Sequence, residues 1–280
     1  MNFRTKLACS NAAFPLLSLD KALKVIQLLD FAGVDIGLFE GRGNINPSQE
    51  LINPISSGKR LGKLIEESNL ELADIFYQGS LDFESTAINN PDSQVRQKSH
   101  NNFKKLLDYV YSAKGKHLTI LPGVHWTNET MSASLNRSMD ELSWYIAMAR
   151  EADITISFEP HLGSHFSTPE IVNIFCESLP EATLTLDFGH FIYQGYTTDE
   201  ILPLLEYASH FHGRCAARQK LQASLSENEI DHKKVISKMR SLNYKGWVGI
   251  EYVWIDWEQC NKVDIISETM QLKYIFDVLK

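Results

Sequence analysis

The strongest constraint on this chain is a hydrophobic period that switches back and forth. Short β-branched runs alternate with amphipathic stretches from end to end of its 280 residues. The runs cover residues 6–9, 34–40, 70–77, 117–121, 154–158, 182–186, 208–212 and 247–252. The intervening segments repeat their apolar residues at helical spacing. In the first, 20–32, Ala22, Leu23, Val25, Ile26, Leu28 and Leu29 share one side, and Gly33 stops it. Helices are expected over 55–68, 91–113, 132–151, 168–179, from Thr198, and over 231–242 and 264–279. Pro91 and Pro169 suit the first helical turn. Strands that are apolar throughout and alternate with helices imply a parallel sheet covered on both faces. Eight such units in this length fit a closed (β/α)8 barrel. The competing open sheet would carry a glycine-rich turn after its first strand. Here that turn reads Cys9-Ser10-Asn11-Ala12-Ala13. No linker or composition break interrupts the pattern, so residues 1–280 are read as one domain.

Composition removes several classes of function. Lys+Arg is 27 and Asp+Glu is 35, for a net charge of -8, and no basic run gathers. A nucleic-acid partner is therefore not expected. No apolar run reaches the ~18 residues of a spanning helix, and the N-terminus lacks the apolar stretch of a signal peptide. Cys9, Cys176, Cys215 and Cys260 form no CxxC pair, which fits a reduced, cytoplasmic setting. The final helix and the loop 254–260 are candidate contact surfaces for a homo-oligomer.

In a barrel, the C-terminal ends of the strands form the active face. Glu40, Gln78, Glu159, Asp187, His212 and Glu251 sit there. Four of them, Glu159, Asp187, His212 and Glu251, end consecutive strands. Neighbouring strands lie about 5 Å apart, so these side chains can converge. Three converging carboxylates repel unless a cation joins them. Three oxygens and one imidazole suit Mn²⁺, Mg²⁺ or Co²⁺, with Zn²⁺ also able to bind. His190 follows Asp187 by three residues as a further ligand or substrate contact. His161 and His210 are weaker candidates. His100, His117, His125, His165 and His232 are read as surface or packing residues.

These residues carry a family resemblance over nearly the whole chain. The motifs are Gly33-Val34-Asp35-Ile36-Gly37-Leu38-Phe39-Glu40, Asn90-Pro91-Asp92-Ser93-Gln94-Val95-Arg96 and Leu121-Pro122-Gly123. Phe158-Glu159-Pro160-His161, Leu186-Asp187-Phe188-Gly189-His190, His210-Phe211-His212 and Gly249-Ile250-Glu251-Tyr252 complete the set. The chain resembles the sugar-phosphate isomerase/epimerase group of the xylose isomerase-like TIM barrels. In site pattern it is most similar to ketose 3-epimerases. The resemblance implies one divalent metal, Mn²⁺ first, held by Glu159, Asp187, His212 and Glu251. It implies Glu159 and Glu251 as the proton-transferring pair, and His190 and Arg218 on substrate oxygens. Glu40 is read as a further substrate contact. The chain departs from the family at Arg214, where many members carry an acid two or three residues past the seventh-strand histidine. That cation points to an anionic or keto-acid group on the substrate.

The activity so implied is isomerisation or epimerisation of a ketose or related keto-sugar through a cis-enediolate. The other outcome of the same chemistry is a lyase or dehydratase acting on a keto-sugar or keto-glycoside. An AP endonuclease would need histidines after the third and fourth strands. Those places read Ile75-Phe76-Tyr77-Gln78 and Ile120-Leu121-Pro122-Gly123. A non-catalytic sugar-binding barrel would show a broken ligand set, and here the set is whole. Phe39, Phe76, Tyr77, Trp126, Tyr252 and Trp254 are candidates for an apolar pocket wall.

Overall fold

Runs that are apolar on both faces need cover on both sides, and a closed barrel provides it. A computed structural model describes residues 6–279. Residues 1–5 and 280, which enter the reading of the N-terminus and of the 1–280 span, lie outside the described residues. The strands are β1 (Lys6–Ser10), β2 (Gly33–Phe39), β3 (Glu71–Gln78), β4 (His117–Ile120), β5 (Thr155–Phe158), β6 (Thr183–Asp187), β7 (Ala208–Gly213) and β8 (Trp247–Ile250). All neighbours are parallel, and β8 pairs with β1 to close the ring. The fold is a (β/α)8 TIM barrel. The helices are α1 (Leu19–Leu28), α2 (Pro47–Glu50), α3 (Pro54–Glu67), α4 (Ser93–Ser112) and α5 (Met131–Glu151). They continue with α6 (Pro169–Ser178), α7 (Phe188–Gln194), α8 (Thr198–Ile201), α9 (His232–Ser241) and α10 (Ile265–Val278). None of the described helices is long and apolar enough to cross a membrane. All four cysteines are free and buried.

Local differences from the sequence reading have identifiable causes. Pro91 does not open α4. Asp92 caps it by accepting from Gln94 N at 2.8 Å, so the helix begins at Ser93. The helix expected from Thr198 makes one α turn and then tightens into a 3₁₀ stretch, Leu202–Tyr207, with Pro203 in its first turn. Its cap is Thr197, closed by Glu200 in a capping box. Helix α7 has no counterpart in the hydrophobic pattern. It is two turns long and buried along Phe188–Ile192, so it shows no amphipathic alternation. Asp187 caps it, and Gly195, at φ 97, ends it.

The barrel interior is polar along much of its length. Asp74 Oδ1 lies 2.6 Å from His117 Nδ1, and Asp74 Oδ2 accepts from Thr119 Oγ1 at 2.7 Å. His117 Nε2 reaches Ser209 Oγ at 2.8 Å, and Ser209 reaches Thr183 at 2.7 Å. Thr119 and Ser157 both meet Thr185 Oγ1. His117 is thus an interior network residue rather than a surface one. The network matters because a buried carboxylate without partners is costly.

Burial alone would raise the pKa of Asp74, but His117, with His210 and Thr119, outweighs it and holds it at about 2. A carboxyl depressed in the folded state adds stability above its unfolded value, and that stability fades as pH falls through the folded one. At neutral pH the contribution is on the order of 2 kcal/mol. Asp74→Asn is therefore expected to lower the melting temperature at pH 7. The gap to wild type should narrow as pH falls from about 4 toward 2. Thermal melts across that range check it, and a gap independent of pH contradicts it.

Candidate active site

The site follows from where four neighbouring strands stop. Asp187 is the last residue of β6 and lies in register opposite His212 of β7, which in turn faces Gly249 of β8. Glu159 and Glu251 are the residues directly after β5 and β8. All four side chains are almost wholly buried and meet at the barrel mouth.

His212 is the hub. Its Nδ1 lies 2.6 Å from Glu159 Oε1 and 3.3 Å from Glu251 Oε2, while its Nε2 faces Asp35 Oδ2 at 4.0 Å. Burial opposes a charge here, but Glu251 and Glu159 overcome it and raise His212 to about 10. Burial raises Glu159 to about 7 even though His212 pulls the other way. Glu251 is raised for the same first reason. A carboxylate poised near neutrality suits proton transfer.

His190, on α7, accepts from Leu162 N through Nδ1 at 3.2 Å. Its Nε2 therefore carries the hydrogen, and it faces Glu159 Oε2 at 3.8 Å and Asp187 Oδ2 at 3.7 Å. Burial, reinforced by Arg214, keeps this ring neutral at ordinary pH. His161 shows the opposite tautomer. Its Nδ1 donates to Leu162 O at 2.6 Å, which leaves Nε2 a buried acceptor with no protein partner.

Arg214 enters the same cluster. Its Nε lies 2.7 Å from Asp187 Oδ2, and its Nη2 contacts Glu251 Oε2. The structure does not bring Glu40 or Arg218 to it. Glu40 turns aside to α2, accepting from Ser48 N at 3.0 Å and from Ser48 Oγ at 2.8 Å. Arg218 is exposed and lies beside Gly195, on the far end of α7. Both sit in loops, whose course decides direction more than strand register does.

A pocket of about 530 Å³ opens onto Glu159, Glu251, His190 and Arg214. Phe39, Phe76, Phe83 and Trp257 are among its apolar walls. Tyr252 instead uses its hydroxyl on Cys215 N, and Trp254 is 44% exposed. Trp126 donates its indole N–H to Asn89. A neighbouring cavity of about 680 Å³ shares Gln78, Phe83 and His161, has Tyr77 in its wall and touches none of the four convergent groups.

Two residues beneath the site escaped the sequence reading. Asp35 sits buried inside β2 and accepts from His210 Nε2 at 3.0 Å, under His212. A Cβ on Gly249 would lie 1.6 Å from Asp35 Oδ2 and 3.1 Å from His210 Nε2. Glycine there is what makes room for the carboxylate. The available signal was an acid in the middle of an otherwise apolar strand, which demands an internal partner. Gly249→Ala is expected to destabilise the protein by roughly 1–3 kcal/mol, as overpacking does. Gly43→Ala, where the nearest atom would be 3.6 Å from the new Cβ, should cost far less. Denaturant unfolding of the two variants compares them, and equal costs would contradict the packing account.

Comparison with known proteins adds context to this geometry. A family model described as xylose isomerase-like TIM barrel matches residues 23–273. No curated protein matches the chain. Among solved structures, D-psicose 3-epimerase with D-tagatose from Clostridium cellulolyticum H10 is similar at a TM-score of 0.77 and 14% identity, covering 98% of this chain and 99% of that one. A D-tagatose 3-epimerase-like protein gives a TM-score of 0.75 at 18% identity, with 98% of each chain covered. A probable 3-DHS dehydratase from Bacillus anthracis gives 0.70 at 13% identity, covering 96% of this chain and 98% of that one.

Proposed function

We propose a function from one premise: the chain belongs to the xylose isomerase-like TIM barrel family. It is a metal-dependent sugar isomerase or epimerase acting on a ketose or related keto-sugar. The observation that carries this reading is the buried pair Glu159 and Glu251, both facing His212 Nδ1 and both opening onto one pocket. The sugar 3-epimerase among the similar structures is consistent with it.

The donor set fits a divalent ion. Ligand atoms of Glu159, His212 and Glu251 lie within 4.8 Å of one another, as do those of Glu159, Asp187 and His190. Glu159, Asp187, His212 and Glu251 would hold the ion, with Nδ1 as the ligating nitrogen of His212. Mn²⁺ suits three carboxylates and an imidazole best, with Mg²⁺, Co²⁺ and Zn²⁺ as further fits. When bound, such an ion polarises a carbonyl and acidifies the adjacent C–H.

The chain's own groups do the rest. One glutamate takes the proton next to the carbonyl, and the other returns a proton to the resulting enediolate. Returned to the same carbon from the other face, it gives an epimer. Returned to the neighbouring carbon, it gives an aldose–ketose pair. His190 Nε2–H donates to a substrate oxygen and steadies the charge that develops there. His161 Nε2 accepts from a substrate hydroxyl. The aromatic walls exclude water. Loss of a β leaving group from the same enediolate is the dehydratase outcome, and the dehydratase among the similar structures favours keeping it as the second reading.

Incubation in heavy water with Mn²⁺ and a panel of ketoses, keto-sugars and hydroxy-acids tests this. Deuterium should enter the carbon next to the carbonyl. Isomer formation marks the isomerase, and exchange with elimination marks the dehydratase. Glu159→Gln and Glu251→Gln should each reduce exchange by about 100-fold or more while the fold survives. Undiminished exchange in either variant contradicts the assigned roles. Stripping divalent ions with a chelator should abolish exchange, and Mn²⁺ or Co²⁺ should restore it. Full exchange in the stripped protein would remove the metal from the account.

A further inference from the structure

The residue that fits the proposed site least is Arg214. It stands two positions past His212 on the chain, just beyond β7. From there it reaches sideways to both neighbouring strand ends, Asp187 of β6 and Glu251 after β8. Its side chain is buried, so both contacts are made away from water. The stem is held as well as the head. A Cβ on Gly189 would lie 3.2 Å from Arg214 Cδ, so the arginine runs against the backbone of α7.

The guanidinium meets the oxygens that an ion would need. Glu251 Oε2 is shared between Arg214 and His212 Nδ1. Asp187 Oδ1 already accepts from Gly189 N at 2.7 Å, and its Oδ2 faces Arg214 Nε. The consequence is visible in how the ligand atoms group. Among the described residues, sets within 4.8 Å form as Glu159–His212–Glu251, as Glu159–Asp187–His190 and, beneath them, as Asp35–His210–His212. No such set contains both Asp187 and Glu251, and Arg214 spans the gap between those two.

We propose that Arg214 is a resident counter-cation of this carboxylate cluster, competing with a divalent cation for Asp187 and Glu251. The competition rests on the reading of the cluster as an ion site. A guanidinium stays protonated at any accessible pH, so it cannot yield by losing charge. It yields only by moving. With Arg214 in place, an ion is left with Glu159, His212 and the remaining freedom of Glu251. Asp187 contributes only when the guanidinium leaves it. Removing the arginine should therefore tighten ion binding, although the arginine itself touches no ion.

Titration calorimetry with Mn²⁺ tests this on the full chain, with thermal melts to confirm folding. Arg214→Met should bind Mn²⁺ about tenfold or more tightly than wild type. Asp187→Asn should change affinity by less than about threefold in the wild-type background and weaken it about tenfold in the Arg214→Met background, the coupling that a double-mutant cycle isolates. Arg214→Gln, which keeps a polar group over the carboxylates, replaces Arg214→Met in the cycle if the latter does not fold. Unchanged or weaker binding on removal of the arginine overturns the proposal, as does an equal cost of Asp187→Asn in both backgrounds. In those cases the ion site stands and only the competition falls. If neither wild type nor the arginine variants bind Mn²⁺, the ion reading itself falls and takes the competition with it.

Discussion

Three carboxylates buried together at one barrel mouth repel one another, and most of the architecture there answers that repulsion. Glu159, Asp187 and Glu251 are brought together because β5 to β8 are adjacent, parallel and end at nearly the same height. Burial removes the water that would screen them. The chain meets the cost with cations and hydrogen bonds. His212 lies between Glu159 and Glu251, Arg214 links Asp187 to Glu251, and the Gly189 amide caps Asp187. A divalent ion would satisfy the same need, so Arg214 and the proposed metal are alternatives for one electrostatic task.

The support extends below the site. Asp35 and His210 form a buried pair beneath His212, and Gly249 leaves the space that Asp35 fills. Deeper still, Asp74, His117, Ser209 and Thr183 continue the polar interior toward the other end of the barrel. Interiors of this type gain definition when every member is satisfied, and they lose stability when one is removed. The pocket above draws on that rigidity. Its His190 and His161 rings are fixed in opposite tautomers by the same stretch of backbone at Leu162, one ring presenting a donor and the other an acceptor.

How much of this was legible in the sequence depends on the range of the interaction. The period of 2 against 3.6 located all eight strands, because strand and helix patterns are local. It also located the four converging residues, since each lies within one residue of the C-terminal end of its strand, the end that opens on the barrel mouth. Glu40 and Arg218 lie away from the cluster because each follows its strand into a loop, where Ser48 and the end of α7 decide its course. Helix α7 was invisible because a short helix buried on nearly all sides has no polar face to alternate with. The Asp35–His210 contact joins residues 175 positions apart, and no local pattern reports such a pairing. Arg214 was legible as an unusual cation but not as a bridge, because its two partners lie on two other strands.

On the reading proposed above, these strand ends build one ion-binding point beside a proton-transferring pair. Anomalous diffraction at the manganese edge, from crystals grown with Mn²⁺, tests it most directly. A single strong peak is expected at the barrel mouth, bounded by Glu159, His212 and Glu251, with Asp187 joining them where Arg214 has moved aside. An intact barrel with no peak there, or with the ion held by other residues, would contradict it.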